Sequence, residues 1–358
     1  MASDAEDSLA RSETWRGALP AVFELAADEV TTLQRPRPYC VCLPRQSLLP
    51  LAADSVRRHF EPFGPPMGGN LWFEHAGTPL RWQLPIGVLY DLTCGEEAAT
   101  RHDLPWRITV HFASFPAEQL LRATVREAES VLMHGLKEAC FLRCGSATPA
   151  NSLLPATQQA LLAALSDTAD PDVAYAGYQG VSEQIEEAVK SHVDKARHAD
   201  RLGIPFRACV STTEWRQQPM PSTNHSTGEP TTLRDALTLL LPTLFESGGE
   251  KSEDGEGGGS EGGSGDAASS SAAASPGTAP LVLVQGVRVP LSTPLSWLWS
   301  ACSHPDGWLY ACVRVPLSVD PAPAADSKPV DAGATPQAKQ QADHETATPS
   351  PTAAAPAH

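Results

Sequence analysis

A five-residue motif occurs twice in this chain, in two stretches that share one order of strand-like and helix-like segments. Thr78–Trp82 reads TPLRW and Thr293–Trp297 reads TPLSW. Each copy follows a short strand-like run, precedes an apolar segment that we interpret as a turn, and leads to a closing strand. The repeat predicts two β-grasp units, in each of which a mixed sheet wraps one helix. We expect the motif tryptophans, Trp82 and Trp297, to pack beneath these turns in the cores.

The first unit is predicted from alternating apolar residues in its strands and from helical spacing between the second and third strands. Its predicted elements are the strands Val22–Leu25, Tyr39–Leu43, Leu71–Glu74 and Trp106–Phe112 and the helix Leu51–Phe60. A short helix over residues 5–18, ending near Gly17, is predicted to precede them.

The second unit carries a low-complexity insert. Its predicted elements are the strand Ile204–Ser211, the helix Thr232–Phe245 with Thr231 or Thr232 as N-cap, and the strands Leu281–Gln285 and Leu309–Val315. The insert, residues 247–279, is rich in Gly, Ser and Glu and can bury too little apolar surface to offset chain entropy. We predict that the insert and the tail 317–358 are disordered.

The stretch between the units is rich in Ala, Leu and Glu and has helical periodicity. Residues of one predicted face recur every three or four positions at Leu121, Val125, Ala128, Leu132, Leu136 and Ala139, and again at Ile185, Val189, His192 and Ala196. Together the patterns predict an α+β protein. Its predicted parts are an N-terminal helix (1–18), a first β-grasp domain (19–116), a helix-rich domain (117–202) and a second β-grasp domain (203–316).

The charge of the chain argues against nucleic acid as a ligand. The formal net charge is −16, and a field of that sign repels phosphate backbones and anionic lipid surfaces. The acidic, polar N-terminus does not resemble a signal peptide, and no apolar run approaches the about 18 residues of a membrane span. We therefore expect an intracellular, reducing compartment with free thiols.

The cysteines offer weak evidence for catalysis. No CxxC pair occurs among the eight cysteines, so a zinc ribbon or thioredoxin-like site is unsupported. Cys140 and His134 would suit a thiol enzyme, but no Asn or Asp is placed to orient the histidine, and a metal site that also used Cys144 would lack a fourth ligand. Buried cysteine is the common case. We interpret Cys40 and Cys42 as one core and one surface thiol of a strand, and we expect no metal and no cofactor.

Several segments resemble, in the same order, the autophagy protein 5 family. The resemblance covers about residues 10–145 and 203–316. Its segments are WRGALP (15–20), YCVCLPR (39–45), LWFEHAGTPL (71–80), LPIGVLYDL (84–92), LPWRITVHFASFP (104–116), LKEA (136–139), IPFR (204–207), QG (285–286), TPLSW (293–297) and HPD (304–306). The resemblance implies that both β-grasp domains are ubiquitin-like.

The resemblance also implies a scaffold and not an enzyme. In the family, one lysine of the helix-rich domain accepts the C-terminal glycine of a ubiquitin-like modifier, autophagy protein 12. The family also binds the coiled-coil autophagy protein 16. The assembled conjugate acts like an E3 ligase and promotes lipidation of autophagy protein 8 by its lipid-conjugating enzyme. This role implies a cytoplasmic protein that is peripheral on the preautophagosomal or phagophore membrane.

Lys137 matches the acceptor lysine of the family. It follows Leu136 in a predicted helix, so it points about 100° away from the apolar stripe and its amine is expected to be exposed. The amine must lose a proton from a group whose ordinary pKa is about 10.4, and we expect the conjugating enzyme to assist this step. Lysine is scarce in the chain, which has six lysines.

Trp15, Gly17 and Pro20 match the family segment near which the coiled-coil partner docks. The partner would be an amphipathic helix in an apolar groove between the two ubiquitin-like domains. The alternative for Trp15 is that it packs the N-terminal helix on the sheet. Two rival functions remain at this point: a thiol-dependent transferase that uses Cys140, and a ubiquitin-like adaptor that is never conjugated.

Overall fold

The computed structural model of the protein describes residues 2–65, 70–94, 104–166, 170–195, 203–224, 227–245 and 280–315. The insert 247–279, the tail 317–358 and Ala196 lie outside these residues. The predictions made for them therefore stay predictions.

The first domain is a mixed sheet wrapped around one helix, as predicted, but the sheet has five strands and not the four that were predicted. Its elements are β1 (Ala18–Leu25), β2 (Tyr39–Pro44), α2 (Leu49–Phe60), β3 (Trp72–His75), β4 (Thr78–Pro79), α3 (Ile86–Thr93) and β5 (Trp106–His111), and α1 (Ala2–Arg16) precedes them. The strand order is β2-β1-β5-β3-β4, with β1 parallel to β5. Phe23 pairs with Ile108 at the centre of the sheet, and both are buried with Phe60 of α2.

The second domain repeats this topology. Its elements are β6 (Gly203–Cys209), β7 (Trp215–Pro221), α8 (Leu233–Leu240), α9 (Pro242–Phe245), β8 (Leu281–Val284), β9 (Val287–Arg288), α10 (Leu295–Cys302) and β10 (Leu309–Arg314). The strand order is β7-β6-β10-β8-β9, with β6 parallel to β10. Of the two candidate N-caps, Thr232 caps α8, and its backbone N–H donates in return to Asp235. This reciprocal pair satisfies two donors at the start of the helix.

The strand β10, at the centre of the second sheet, is buried on both faces. Leu309, Ala311 and Val313 of β10 pack into the core of their own domain. Tyr310 and Cys312, which point the other way, join the core that contains the first domain. Because both faces are covered, β10 is an unbroken apolar run and not an alternating one.

The structure corrects two predictions for the repeated motif. The apolar segments that follow it are the helices α3 and α10, not turns. Trp82 is 3% exposed and lies in the core as predicted, but Trp297 is 42% exposed. The cause is the position of the helix: α10 begins inside the second motif, whereas α3 begins four residues after Trp82. Trp297 is thereby carried to the surface, where its indole N–H donates to Asp7 of α1.

The strand β7 was missed in the sequence. Its residues, WRQQPMP, do not alternate in polarity, because β7 is an edge strand in which Met220 alone is buried. An edge strand that faces solvent on both sides gives no period-two pattern. The strand is recognised only from its pairing with β6, which joins Cys209 to Trp215 at one end and Gly203 to Pro221 at the other.

The described residues of the helix-rich domain form four helices: α4 (Val125–Cys144), α5 (Thr148–Asn151), α6 (Pro155–Ser166) and α7 (Pro171–Lys195). α4 begins at its N-cap Thr124 and ends at Gly145, which has a left-handed conformation. Its buried face starts at Ala128, because Leu121 precedes the helix and Val125 lies in its exposed first turn. Ile185 and Val189 of α7 are buried as predicted. None of the described helices is long and apolar enough to cross a membrane.

Candidate functional site

The helix that carries Lys137 is seated directly on the second ubiquitin-like domain. A Cβ atom at Gly135 would lie 3.0 Å from Cβ of Asp306, and one at Gly307 would lie 2.8 Å from Cβ of Ala139. The indole N–H of Trp308 donates to the carbonyl of Gly135 at 3.2 Å. These close contacts fix α4 against the turn that leads into β10.

Lys137 is half-buried at the edge of an apolar recess. It is therefore less exposed than we predicted from its position on the helix. The recess has a volume of about 340 Å³ and is lined by Lys137, Glu138, Phe141, Leu142, Ala147, Gln217 and Trp308. Phe141 is 57% exposed. Within the part of the chain that the structure describes, no carboxylate pairs with the Lys137 amine. The aliphatic stem of the lysine thus covers apolar surface while the amine has no counter-ion.

The floor of this recess is held by a network of polar side chains. The guanidinium of Arg207 lies 4.3 Å from the ring centre of the buried Trp308 and donates to Gln217 Oε1 at 2.9 Å. It also donates to the hydroxyl of Tyr310, which donates in turn to Asp306 at 2.6 Å. Burial raises the pKa of Asp306, against the effect of the Tyr310 hydrogen bond. The polar groups satisfy one another, so the recess presents mainly carbon to solvent.

Trp15 packs on the helix-rich domain, which corrects the expectation that it packs α1 on the sheet. Its ring stacks on Tyr178 of α7 with centres 4.4 Å apart, and it is 7% exposed. Helix α1 runs beside α7 before the chain enters β1. Trp15 can therefore pack on the aromatic side chains of α7. Little of the Trp15 surface is left for a partner.

Gly17 and Pro20 do not share the aromatic packing of Trp15 on α7. A Cβ atom at Gly17 would meet the Thr14 carbonyl at 3.1 Å and Cδ of Arg45 at 3.2 Å, so this position links α1 to the first domain. Pro20 is exposed on the outer face of the first sheet. The structure therefore does not bring the three residues together into one surface.

A buried ion pair that sequence reasoning missed lies where the two ubiquitin-like domains meet. Arg45 and Asp91 of the first domain lie 2.5 Å apart and are 9% and 4% exposed. A Cβ atom at Gly286 of the second domain would lie 2.8 Å from Arg45 Cζ, and Arg314 donates to the Asp91 carbonyl. Burial raises the pKa of Asp91, and the Arg45 charge opposes that rise. The sequence contained one signal of this pair: Asp91 is the single carboxylate within the apolar segment 84–92.

An open groove lies between α1, α7 and α10, and the groove predicted between the two ubiquitin-like domains stays a prediction. One recess of about 460 Å³ is lined by Asp7, Ser8, Arg11, Tyr175, Tyr178, Gln179, Ser182, Glu183, Glu186, Glu187 and Lys190. A second, of about 210 Å³, shares four of these residues and extends to Trp299 and Ser300 of α10. The two recesses together are lined by four carboxylates (Asp7, Glu183, Glu186 and Glu187) and three cations (Arg11, Arg143 and Lys190). Glu186 is already held by Arg143 through two bonds of 2.7 Å. The groove is therefore mildly acidic and partly aromatic.

Three family models match the chain. They are described as the UblA domain of autophagy protein ATG5 (residues 14–112), its alpha-helical bundle region (125–184) and its UblB domain (203–313). Autophagy protein 5 of Neosartorya fischeri is 30% identical over 357 residues, which is 88% of this chain and 98% of that protein. The chain belongs to the autophagy protein 5 family.

Other relatives agree with this membership. Autophagy protein 5 of Arabidopsis thaliana is 25% identical over 84% of this chain and 96% of that protein. Autophagy protein 5 of Oryza sativa subsp. japonica is 38% identical, over 42% of this chain and 39% of that protein. The crystal structure of Kluyveromyces marxianus Atg5 has the same fold, with a TM-score of 0.58 and 18% identity over 86% of this chain and 99% of that one. Membership in the family gives the chain a role in autophagy.

Cys140, the cysteine considered as a nucleophile in the sequence, is not in the arrangement that a thiol enzyme needs. Cys140 is 1% exposed, and burial raises the pKa of its thiol to about 11. The thiolate is the nucleophile, so Cys140 is poorly suited to attack at neutral pH. His134 is exposed and lies six residues earlier on α4, on another side of the helix. Within the described ranges, no cluster of three or more potential ligands is arranged to hold a metal ion.

The structure corrects the interpretation of Cys40 and Cys42. Both are exposed on β2. Residues two apart in a strand share one face, so an alternating strand cannot divide them between core and surface. Both belong to the outer face of the first sheet, next to Pro20.

Proposed function

We propose that this chain is a non-catalytic scaffold of autophagy that is joined through Lys137 to the ubiquitin-like modifier autophagy protein 12. The observation that carries the proposal is the apolar recess beside Lys137, to which the helix-rich and second ubiquitin-like domains both contribute. A covalently attached protein needs a surface on which to rest, and this recess offers one within reach of the amine. The match of Lys137 to the family acceptor supports the same residue.

The proposed chemistry is transfer of an acyl group from a thioester. The neutral Lys137 amine attacks the thioester carbonyl of the modifier on its conjugating enzyme. The nitrogen–carbon bond of an isopeptide forms, the carbon–sulfur bond breaks, and the proton leaves the nitrogen as the thiolate departs. Since no carboxylate among the described residues pairs with the amine, the conjugating enzyme has to assist the removal of the proton.

We propose that autophagy protein 16 binds in the groove between α1, α7 and α10. A helix with aliphatic and basic residues would match its tyrosine rings and its excess of carboxylates. Trp15 would then act from beneath by holding α1 against α7, while Gly17 and Pro20 would stay outside the contact. The complex would lie in the cytoplasm and be peripheral on the preautophagosomal or phagophore membrane.

The conjugate would promote lipidation of autophagy protein 8 by positioning its lipid-conjugating enzyme. A scaffold that holds two reactants in productive geometry lowers the barrier without supplying a reacting group. The buried, protonated Cys140 argues against the rival of a thiol-dependent transferase. The second rival, an adaptor that is never conjugated, is left to experiment.

The test is conjugation of Lys137→Arg in the cells that make the protein. We expect the conjugate band on a denaturing, reducing gel to disappear, because arginine keeps the charge but cannot form the isopeptide. Lys190→Arg is the matched control, because Lys190 is an exposed lysine of α7 and should leave the band unchanged. A band of normal intensity in Lys137→Arg would refute the acceptor. A band that is seen on a parallel non-reducing gel and vanishes on adding a thiol reductant would favour the transferase.

A further inference from the structure

The exposed thiols of this chain lie together, on the strand at one end of the first sheet. Cys40 and Cys42 of β2 are exposed, whereas the other six cysteines are buried or half-buried. The strand order β2-β1-β5-β3-β4 puts β2 at the end of the sheet, and β1 is its one strand partner among the described residues. Both thiols are therefore accessible from the outer face of the sheet.

The register of β2 against β1 gives the two thiols an apolar flank. Because Pro20 has no N–H, it forms a non-hydrogen-bonded pair with Cys42, and Val22 forms another such pair with Cys40. Facing side chains approach each other most closely in pairs of this kind. Each sulfur thus has a carbon surface of β1 at its side.

The spacing of the thiols along the strand prevents a disulfide between them. Residues two apart in a strand lie on one face, about 6.8 Å from each other. The Cβ atoms of a disulfide are only about 3.5–4.5 Å apart. Metal–thiolate bonds are about 2.3 Å long, so a metal ion between the two sulfurs spans the larger distance. The two thiols therefore suit a shared ion and not a bond to each other.

The number of ligands selects the metal. In the part of the chain that the structure describes, no group of three or more His, Cys, Asp or Glu side chains could hold a metal ion. Structural zinc takes four ligands, whereas copper(I) is a soft ion that prefers thiolates and is stably bound by two of them. Glu24 and Arg107, which share the outer face, pair with each other at 3.5 Å and so add no net charge to the site.

We propose that Cys40 and Cys42 form a two-coordinate site for copper(I). Each thiol releases a proton, and the two thiolates bind one Cu⁺ ion, so the complex carries a single negative charge. No electron is transferred, and a copper(I) complex of a small thiol supplies the ion by ligand exchange. The proposal departs from our expectation, based on the sequence, that the chain binds no metal. It is separate from the conjugation function, because the site belongs to the first domain and does not involve Lys137.

The test is a titration of the unconjugated full chain with copper(I), which ascorbate keeps reduced in the absence of oxygen. Bathocuproine disulfonate competes for the ion, and its absorbance reports how much copper the protein removes. We expect one copper ion per chain, and X-ray absorption should show two sulfur neighbours around it. Cys40→Ser and Cys42→Ser should each lower the affinity by more than about a hundredfold, because loss of an outer-shell partner alone costs about 10–100-fold.

Two control variants separate this site from the number of thiols. Cys302→Ser removes a half-buried thiol of α10 and should bind copper as the natural chain does. Val41→Cys/Cys42→Ser keeps two thiols in β2 but places them on opposite faces of the strand, so it should lose the site. Urea titration of each variant checks that a loss of copper is not a loss of folding, and the serine variants, changed at exposed positions, should unfold at the natural midpoint.

Natural affinity for copper in either serine variant would overturn the proposal. One copper ion per two chains would also overturn it, because the ion would then join two molecules. Equal binding of zinc(II) would do the same, because it would reveal further ligands. Loss of the copper site would leave the Lys137 conjugate band unchanged, so the two hypotheses fail separately.

Discussion

A single glycine, Gly286, lies against the guanidinium of Arg45 where the two ubiquitin-like domains meet. Its φ is +76°, and a Cβ atom there would lie 2.8 Å from Arg45 Cζ. Alanine would therefore be strained and would also displace one partner of a buried ion pair. We expect Gly286→Ala to lower the free energy of unfolding by about 2–4 kcal/mol, measured by urea titration.

Gly228 provides the matched control for this prediction. Its φ is +74°, but nothing lies within 4 Å of the position of its Cβ atom. Gly228→Ala should therefore cost only the backbone strain, about 1 kcal/mol. If both variants lost the same free energy, the contact between Gly286 and Arg45 would contribute nothing to stability.

At the scale of elements, β7 shows how the edge of the second sheet is protected. Pro205 and Pro219 are opposite each other in the antiparallel pair, and neither has an N–H. They must form a non-hydrogen-bonded pair, so Pro219 and Pro221 occupy positions whose N–H would otherwise point out of the sheet. Proline at outward positions removes the N–H groups with which an edge strand could pair with another chain.

Restoring a donor at this edge should promote self-association. We expect Pro219→Thr to shift the chain toward concentration-dependent dimers or larger species in sedimentation velocity, because a new outward N–H extends the exposed ladder. Gln218→Thr is the control, since its N–H already points toward β6. A Pro219→Thr chain that stays as monomeric as the control would mean that the edge is protected by some other feature.

Elements with a strong internal pattern could be predicted from the sequence, and elements defined by their neighbours could not. The helix α2 and the strands β1, β2, β5, β6 and β10 were predicted with their types. The strand β7 was missed because an exposed edge has no apolar period. The helices α3 and α10 were interpreted as turns because eight-residue helices composed mostly of apolar residues read as plain apolar runs.

The candidate site could also be predicted only in part from the sequence. Lys137 was chosen from its match to the family and from the scarcity of lysine. The recess beside it could not be predicted, because Phe141, Gln217 and Trp308 come from α4, from β7 and from the turn before β10. Residues so far apart in sequence meet only through the packing of α4 on the second domain.

For the whole molecule, the three domains share buried contacts instead of meeting at polar surfaces. The core that contains the first domain includes Tyr310 and Cys312 of the second domain and Ala139 of α4. The Arg45–Asp91 pair is buried beside Gly286 at the same junction. Continuous apolar packing of this kind favours unfolding of the described domains as one cooperative unit.

A buried histidine links this junction to pH. His304 is 3% exposed, and its Nε2 lies 3.0 Å from Nε2 of Gln285. Burial lowers the pKa of His304 from its ordinary 6.5 to about 3, and the nearby Arg45 charge acts in the same direction. Below about pH 6.5 the unfolded chain therefore binds a proton that the folded chain does not. Stability contributed by the neutral ring is present above pH 6.5 and falls as the pH drops toward 3.

The variant His304→Gln should remove this dependence on pH. Between pH 7 and pH 5 the natural chain should lose about 2 kcal/mol more unfolding free energy than His304→Gln does, because one proton is linked over most of that interval. Urea titrations at the two pH values measure the difference, and His134→Gln, which removes an exposed imidazole, is the matched control. Equal losses in the natural chain and in His304→Gln would mean that the ring takes up its proton without unfolding, and that the junction opens to water in the native state.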